Sequence, residues 1–251
     1  MIILISPAKI MKEQRIHEPS QLPIYLSKTK SIVEQLKIYD IEDLKKLMKI
    51  DDKIAIMTLQ RFSDMKFDHK GFSALDIYDG IAFKAIAIET CKDKQWNYLD
   101  KHLRILSGLY GIVKPSDSIY PYRLEMQTKL SVDDTAHLYA YWMEDLASAI
   151  IKEQADHIEP YILNLASKEY DKCIRPYIKD DSFIDIEFYE RKDHKIKMHS
   201  TQVKKARGMM VRFLADYHIE YLEDVKTFQE DGYKYHDALS SNRKLVFVKD
   251  M

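Results

Sequence analysis

Residues 2–5 read Ile-Ile-Leu-Ile and end at Ser6-Pro7. Four successive apolar residues leave no polar face, which suits a strand inside a sheet with both faces covered. Further along, apolar residues recur at helical spacing over 27–37 (Ile32, Val33, Leu36), 41–49 (Leu44, Leu47, Met48) and 52–62 (Ile54, Ile56, Leu59). A longer helix is predicted over 136–153, where Leu138, Trp142, Leu146 and Ala149 form one stripe that reads as core rather than as a binding face. Strand-like segments return at 161–165, 183–189 and 195–200, the last two as a hairpin around Arg191-Lys192-Asp193-His194. A helix over 203–217 follows, then a final hairpin over 232–248 turning at Ser240-Ser241-Asn242. Helices and strands mix without regular alternation, so the class expected is α+β or mixed α/β, in one domain over 1–251.

Composition narrows the function classes. No run of 18 apolar residues exists, and Pro7 and Lys9 interrupt the first apolar run. Neither a membrane span nor a signal peptide is expected, and the expected location is cytoplasmic. Cys91 and Cys173 lie far apart with no CxxC partner, so neither a disulfide framework nor a cysteine zinc site is indicated. The nine histidines show no pair at i, i+4 spacing and no HExxH; His194 and His199 are five apart. No metal site and no cofactor is predicted. The net charge of -1 argues against a protein that coats DNA by overall charge. Between 191 and 212, however, eight basic residues face Asp193 alone, giving +7, and 216–231 reverses the sign with six acids against Lys226. Such segregation is a patch, and any anion site must be local.

Four segments can carry chemistry. Ser6-Pro7-Ala8-Lys9 follows the first strand, and ligands in open sheets gather beyond the carboxyl ends of strands. Over 104–126 the chain places Gly108, Gly111, Pro115 and Pro121 close together, so its backbone is steered through tight conformations. Lys114, Arg123 and Glu125 bring charge there, and Tyr110, Tyr120 and Tyr122 bring flat faces that can stack on bases. A structural loop in which Arg123 pairs with Glu125 explains the same residues. Residues 164–170, Asn-Leu-Ala-Ser-Lys-Glu-Tyr, again put polar groups after an apolar strand; Ser167 serves either a polar site or a helix N-cap. Finally, Lys204, Lys205 and Arg207 open the helix expected over 203–217. Cations in a first turn oppose the helix dipole unless a bound anion uses them and the free amides. Gly208 within that helix predicts close approach by another backbone or a ligand.

Together these segments resemble the YaaA family of peroxide stress proteins. The resemblance lies in ISPAK (5–9), LSGLYGIVKPSDSIYPYRLEM (106–126), NLASKEY (164–170), KKARGMMVRF (204–213) and DGY (231–233), in the family's order and approximate spacing. It implies a compact mixed α/β fold peculiar to the family, with a central mixed sheet surrounded by helices. It also implies DNA binding in a positively charged cleft and a role in limiting oxidative, iron-dependent damage, with no established catalytic reaction. A helix-hairpin-helix element is implied too, and would map onto 41–62. The glycine turn of such a hairpin is missing, since no glycine precedes Gly71, and Asp51 and Asp52 occupy the turn. The chain also departs from the family pattern over 77–85, with Asp79-Gly80 and Phe83-Lys84-Ala85.

Two functions follow as expectations. In the first, the protein binds DNA non-specifically, with Lys9, Lys114, Arg123, Lys204, Lys205 and Arg207 on phosphates and Tyr120 or Tyr122 packed on the nucleic acid. In the second, the same cleft acts on a nucleotide or phosphorylated small molecule. Lys9 and the Lys204–Arg207 group then hold phosphate, Glu125 or Glu169 is acid or base, and Ser6, Ser167 and Tyr170 are accessory donors.

Overall fold

The computed structural model describes residues 1–67, 71–193 and 195–251; His194, at the tip of the expected hairpin, lies outside them. The chain begins with β1 (Ile2–Ile5), followed by α1 (Leu26–Lys37), α2 (Ile41–Met48), α3 (Asp52–Asp64), β2 (Phe72–Ser73), α4 (Ala74–Ile77), α5 (Ile81–Ile86) and α6 (Asp93–His102). The middle comprises β3 (Leu103–Ser107), β4 (Gly111–Val113), β5 (Ser118–Ile119), α7 (Leu138–Gln154), β6 (Ile162–Leu165) and α8 (Lys168–Asp171). The last third holds β7 (Phe183–Lys192), β8 (Lys195–Lys197), α9 (Ser200–Asp216), α10 (Leu222–Val225), β9 (Tyr233–Tyr235) and β10 (Lys244–Asp250).

The sheet runs β4-β3-β1-β6-β7-β10-β9, with β8 paired to β7. The five inner strands are parallel and the flanking pairs antiparallel, so the sheet is mixed. Residues 2–5 are almost wholly buried, as an uninterrupted apolar strand between two parallel neighbours requires. The Leu138, Trp142 and Leu146 stripe of α7 is buried core, and Trp142 Nε1 donates to the Gly108 carbonyl at 2.9 Å, fixing the loop after β3.

From β1 the chain passes to β3 on one side, and from β6 it passes to β7 on the other. The connections part between β1 and β6, and a small crevice lies beyond the carboxyl end of β1, lined by Pro7, Ala8, Lys9, Arg123, Glu125 and Tyr170.

The expected strand over 195–200 and helix over 203–217 shift. β8 stops at Lys197 and α9 begins at Ser200. The added turn, Ser200-Thr201-Gln202, is polar and outside the apolar stripe, so periodicity does not mark it. Lys204 and Lys205 consequently stand in the second turn of α9, and the expected first-turn conflict with the helix dipole does not arise.

Candidate functional site

The crevice is built from residues that follow strands. Ser6, after β1, and Ser167, after β6, meet across the switch point: the Ser167 amide donates to Ser6 Oγ at 2.8 Å, and the two hydroxyls lie 3.2 Å apart. Ser167 occupies the N-cap position of α8 but makes no capping bond with its side chain, so its hydroxyl is directed to Ser6 instead. Beside them, Lys9 Nζ contacts Glu125 Oε2 at 2.7 Å, and Arg123 Nη2 donates to Glu125 Oε1 at 2.8 Å. Gln127 stands between Glu125 and Glu169, with its side-chain nitrogen 3.4 Å from one carboxylate and its amide 3.4 Å from the other.

Two close approaches hold these segments together. A methyl group on Gly80, which precedes α5, would come within 2.8 Å of the Ala8 Cβ. One on Gly208 of α9 would collide with the Ala82 carbonyl of α5. The close backbone contact expected at Gly208 is thus met by α5, which also abuts the loop carrying Lys9.

The carboxyls are tuned in opposite directions. Burial, the largest influence on Glu125, works to raise it, but Lys9 and Arg123 together hold it below the usual glutamate value. Burial raises Glu169, assisted by the Glu125 charge and opposed by the Gln127 amide and Lys9. The Tyr122 hydroxyl, pushed up to about 12 by burial, sits 2.7 Å from Ser107 Oγ and 2.9 Å from the Tyr78 hydroxyl. Burial likewise pushes Tyr170 well up. Both phenols stay protonated and can donate.

A second polar group adjoins the first through α8. Asn164 Nδ2 donates to Asp171 (3.2 Å) and Asp185 (2.8 Å), and Arg175 Nη2 bridges the same two carboxylates. Arg207 reaches the neighbourhood of both acids; burial pulls its guanidinium below the ordinary arginine value while Asp171 and Asp185 oppose this. The Nε atoms of Arg123 and Arg207 are buried with no hydrogen-bond partner among the described residues. Asp171, Asp185 and Arg175 are not among the expected site residues. Asp185 does carry a sequence signal, as an acid within the apolar alternation Phe-Ile-Asp-Ile-Glu-Phe.

The other expected residues lie elsewhere. Antiparallel β4 carries the chain back toward the amino end of β3, where Lys114 faces Glu153 at 3.4 Å. Tyr120 packs edge-on against Phe67. Lys205 pairs with Asp231 at 3.1 Å, while Lys204 is exposed with no ion pair among the described residues. The acids of 216–231 thus fold back onto the basic stretch: Asp231 takes Lys205, and Asp216 takes Arg212.

The α2–α3 turn satisfies itself. Lys49 adopts the left-handed conformation a glycine would otherwise fill, Asp51 caps α3 by accepting from the Ile54 amide at 2.9 Å, and Asp52 pairs with Lys45. Carboxylates thus occupy the place where a hairpin backbone would grip a phosphate.

No helix among the described residues is long and apolar enough to cross a membrane. A model of the family described as peroxide stress protein YaaA matches residues 1–239. The chain is 44% identical to a UPF0246 protein of Clostridioides difficile over the whole of both chains. A UPF0246 protein of Desulfitobacterium hafniense is 40% identical across all of this chain and 99% of its own, and one of Pediococcus pentosaceus 37% across all of this chain and 98% of its own.

Proposed function

Because the chain belongs to the family of the peroxide stress protein YaaA, we propose that it acts through a nucleotide or phosphorylated small molecule held over the carboxyl ends of β1 and β6. The observation that carries this reading is the pair of buried, unpartnered guanidinium donors, Arg123 Nε and Arg207 Nε. A buried donor without an acceptor costs about 1–3 kcal/mol, and an anionic oxygen recovers it with a charge-assisted bond. Lys9, Ser6 and Ser167 add donors at the switch point. The divergent carboxyls suit acid–base work: Glu169 holds a proton more readily, and Glu125 stays ionised as the base.

Isothermal titration of the full chain with inorganic phosphate and nucleoside mono- and diphosphates at low salt tests this. Binding by at least one compound, weakened about tenfold or more by Arg207→Met, is the expected result. No binding by any of them, or binding indifferent to Arg207, would overturn it.

Non-specific DNA binding that limits iron-dependent damage is the second reading. The exposed cations Lys192, Lys195, Lys197 and Lys204 favour it, none having an ion-pair partner among the described residues. Lys192 and Lys195 pair across the β7–β8 hairpin, which also carries Lys197, and Lys204 stands in the second turn of α9. With Lys9, Arg123, Lys114 and Lys205 already paired to carboxylates, such a surface neutralises about four phosphates, which predicts a log–log salt slope of about -3 to -4 on duplex DNA. A flat salt response measured by fluorescence anisotropy would remove this reading.

A further inference from the structure

At the opposite end of the parallel strands, three ligating side chains from distant parts of the chain meet. His102 closes α6, His157 lies between α7 and β6, and Glu220 follows α9; their ligand atoms all lie within 4.8 Å of one another. His102 is fully buried, with Nδ1 2.8 Å from the Met1 carbonyl oxygen. A carbonyl only accepts, so Nδ1 carries the hydrogen and donates. In a neutral ring with that tautomer, Nε2 is a bare lone pair, and it lies 3.1 Å from Glu220 Oε1. Two acceptors at that distance repel each other unless a cation lies between them. Glu220 Oε2 and His157 Nδ1 are also buried without a partner. The Lys101 ammonium reaches Oε1 at 3.2 Å from the solvent side, but serves neither Oε2 nor either ring.

We propose that His102 Nε2, His157 and Glu220 form a binding site for a divalent transition-metal ion of the zinc type. Two imidazoles and one carboxylate are a donor set for zinc rather than for calcium or magnesium, which prefer all-oxygen shells. Metal–ligand bonds of about 2.0–2.2 Å place neighbouring ligand atoms about 3.0–3.5 Å apart, which the 3.1 Å His102–Glu220 spacing meets. The His157 ligand atom lies within 4.8 Å of both others, close enough for a turn of its half-buried side chain to complete the set. The hydrogen bond from His102 Nδ1 to the Met1 carbonyl is the outer contact that fixes the tautomer of a ligating histidine.

The alternative is a protonated His102 ion-paired to Glu220 with no metal role. The full chain, stripped with EDTA, is titrated with Zn2+ in competition with a chromophoric chelator, and with Co2+ while its visible d–d bands are followed. One equivalent of either ion is expected to bind. His157→Gln and Glu220→Gln should each weaken Zn2+ about 100-fold and bleach the Co2+ bands. Circular dichroism checks that each variant is folded, and either folded variant suffices for the comparison. No uptake by the unsubstituted protein, or undiminished uptake in a folded variant, would overturn the proposal.

Discussion

The carboxyl and amino ends of the same parallel strands are unfinished in opposite senses. At the carboxyl end, buried donors lack acceptors: Arg123 Nε and Arg207 Nε point at nothing. At the amino end an acceptor lacks a donor: Glu220 Oε2 is buried and unpaired, near the unpartnered His157 Nδ1. Six buried polar side-chain atoms among the described residues have no partner, and four of them fall at these two ends. Since nearly all buried polar groups in folded proteins are paired, the pattern teaches that one end asks for an anionic oxygen and the other for a cation.

Substitutions at and between the two ends test that contrast. The largest effect is expected from Gly208→Ala, whose methyl meets the Ala82 backbone rather than a movable side chain. A loss of about 3 kcal/mol or more in urea unfolding is expected, because α9 must separate from α5. Next comes Asp117, near the amino end, where burial, the dominant cause, and the Asp100 charge push the carboxyl up to about 7 against the Lys114 amide. A folded pKa raised above the unfolded value gives stability that is complete below about pH 4 and lost as pH rises to about 7. Asp117→Asn should remove that loss, gaining about 3 kcal/mol over the wild type at pH 8 and little at pH 4. Thermal or urea midpoints across this range check it.

Glu125 titrates with the opposite sign at the carboxyl end. Its carboxyl is held low in the folded state, so its contribution is present above about pH 4.5 and lost as pH falls further. Glu125→Gln should flatten acid unfolding below about pH 4.5, the smallest of these effects.

Much of the carboxyl end was legible in the sequence, because its parts follow strands. An apolar run halted by Ser6-Pro7, a second run followed by Asn-Leu-Ala-Ser, and a glycine inside a helix each have a local cause. The Arg123–Glu125 pair and the packing of Gly208 are also near-sequence or single-contact features. What local pattern does not encode is how charges pair after folding. Lys114 is carried away by an antiparallel turn, Lys205 is met by Asp231, and α9 starts a turn early on polar residues. The amino-end cluster was invisible for the same reason. His102, His157 and Glu220 share no spacing: His102 and His157 lead into β3 and β6, the two neighbours of β1, and Glu220 reaches them from the turn after α9.

A crossed titration separates the two ends: Arg207→Met and Glu220→Gln, each titrated separately with a nucleoside diphosphate and with Zn2+. The two-ended account predicts that Arg207→Met loses the anion and keeps Zn2+, while Glu220→Gln loses Zn2+ and keeps the anion. Loss of both ligands in either folded variant, or of neither in both, would contradict it.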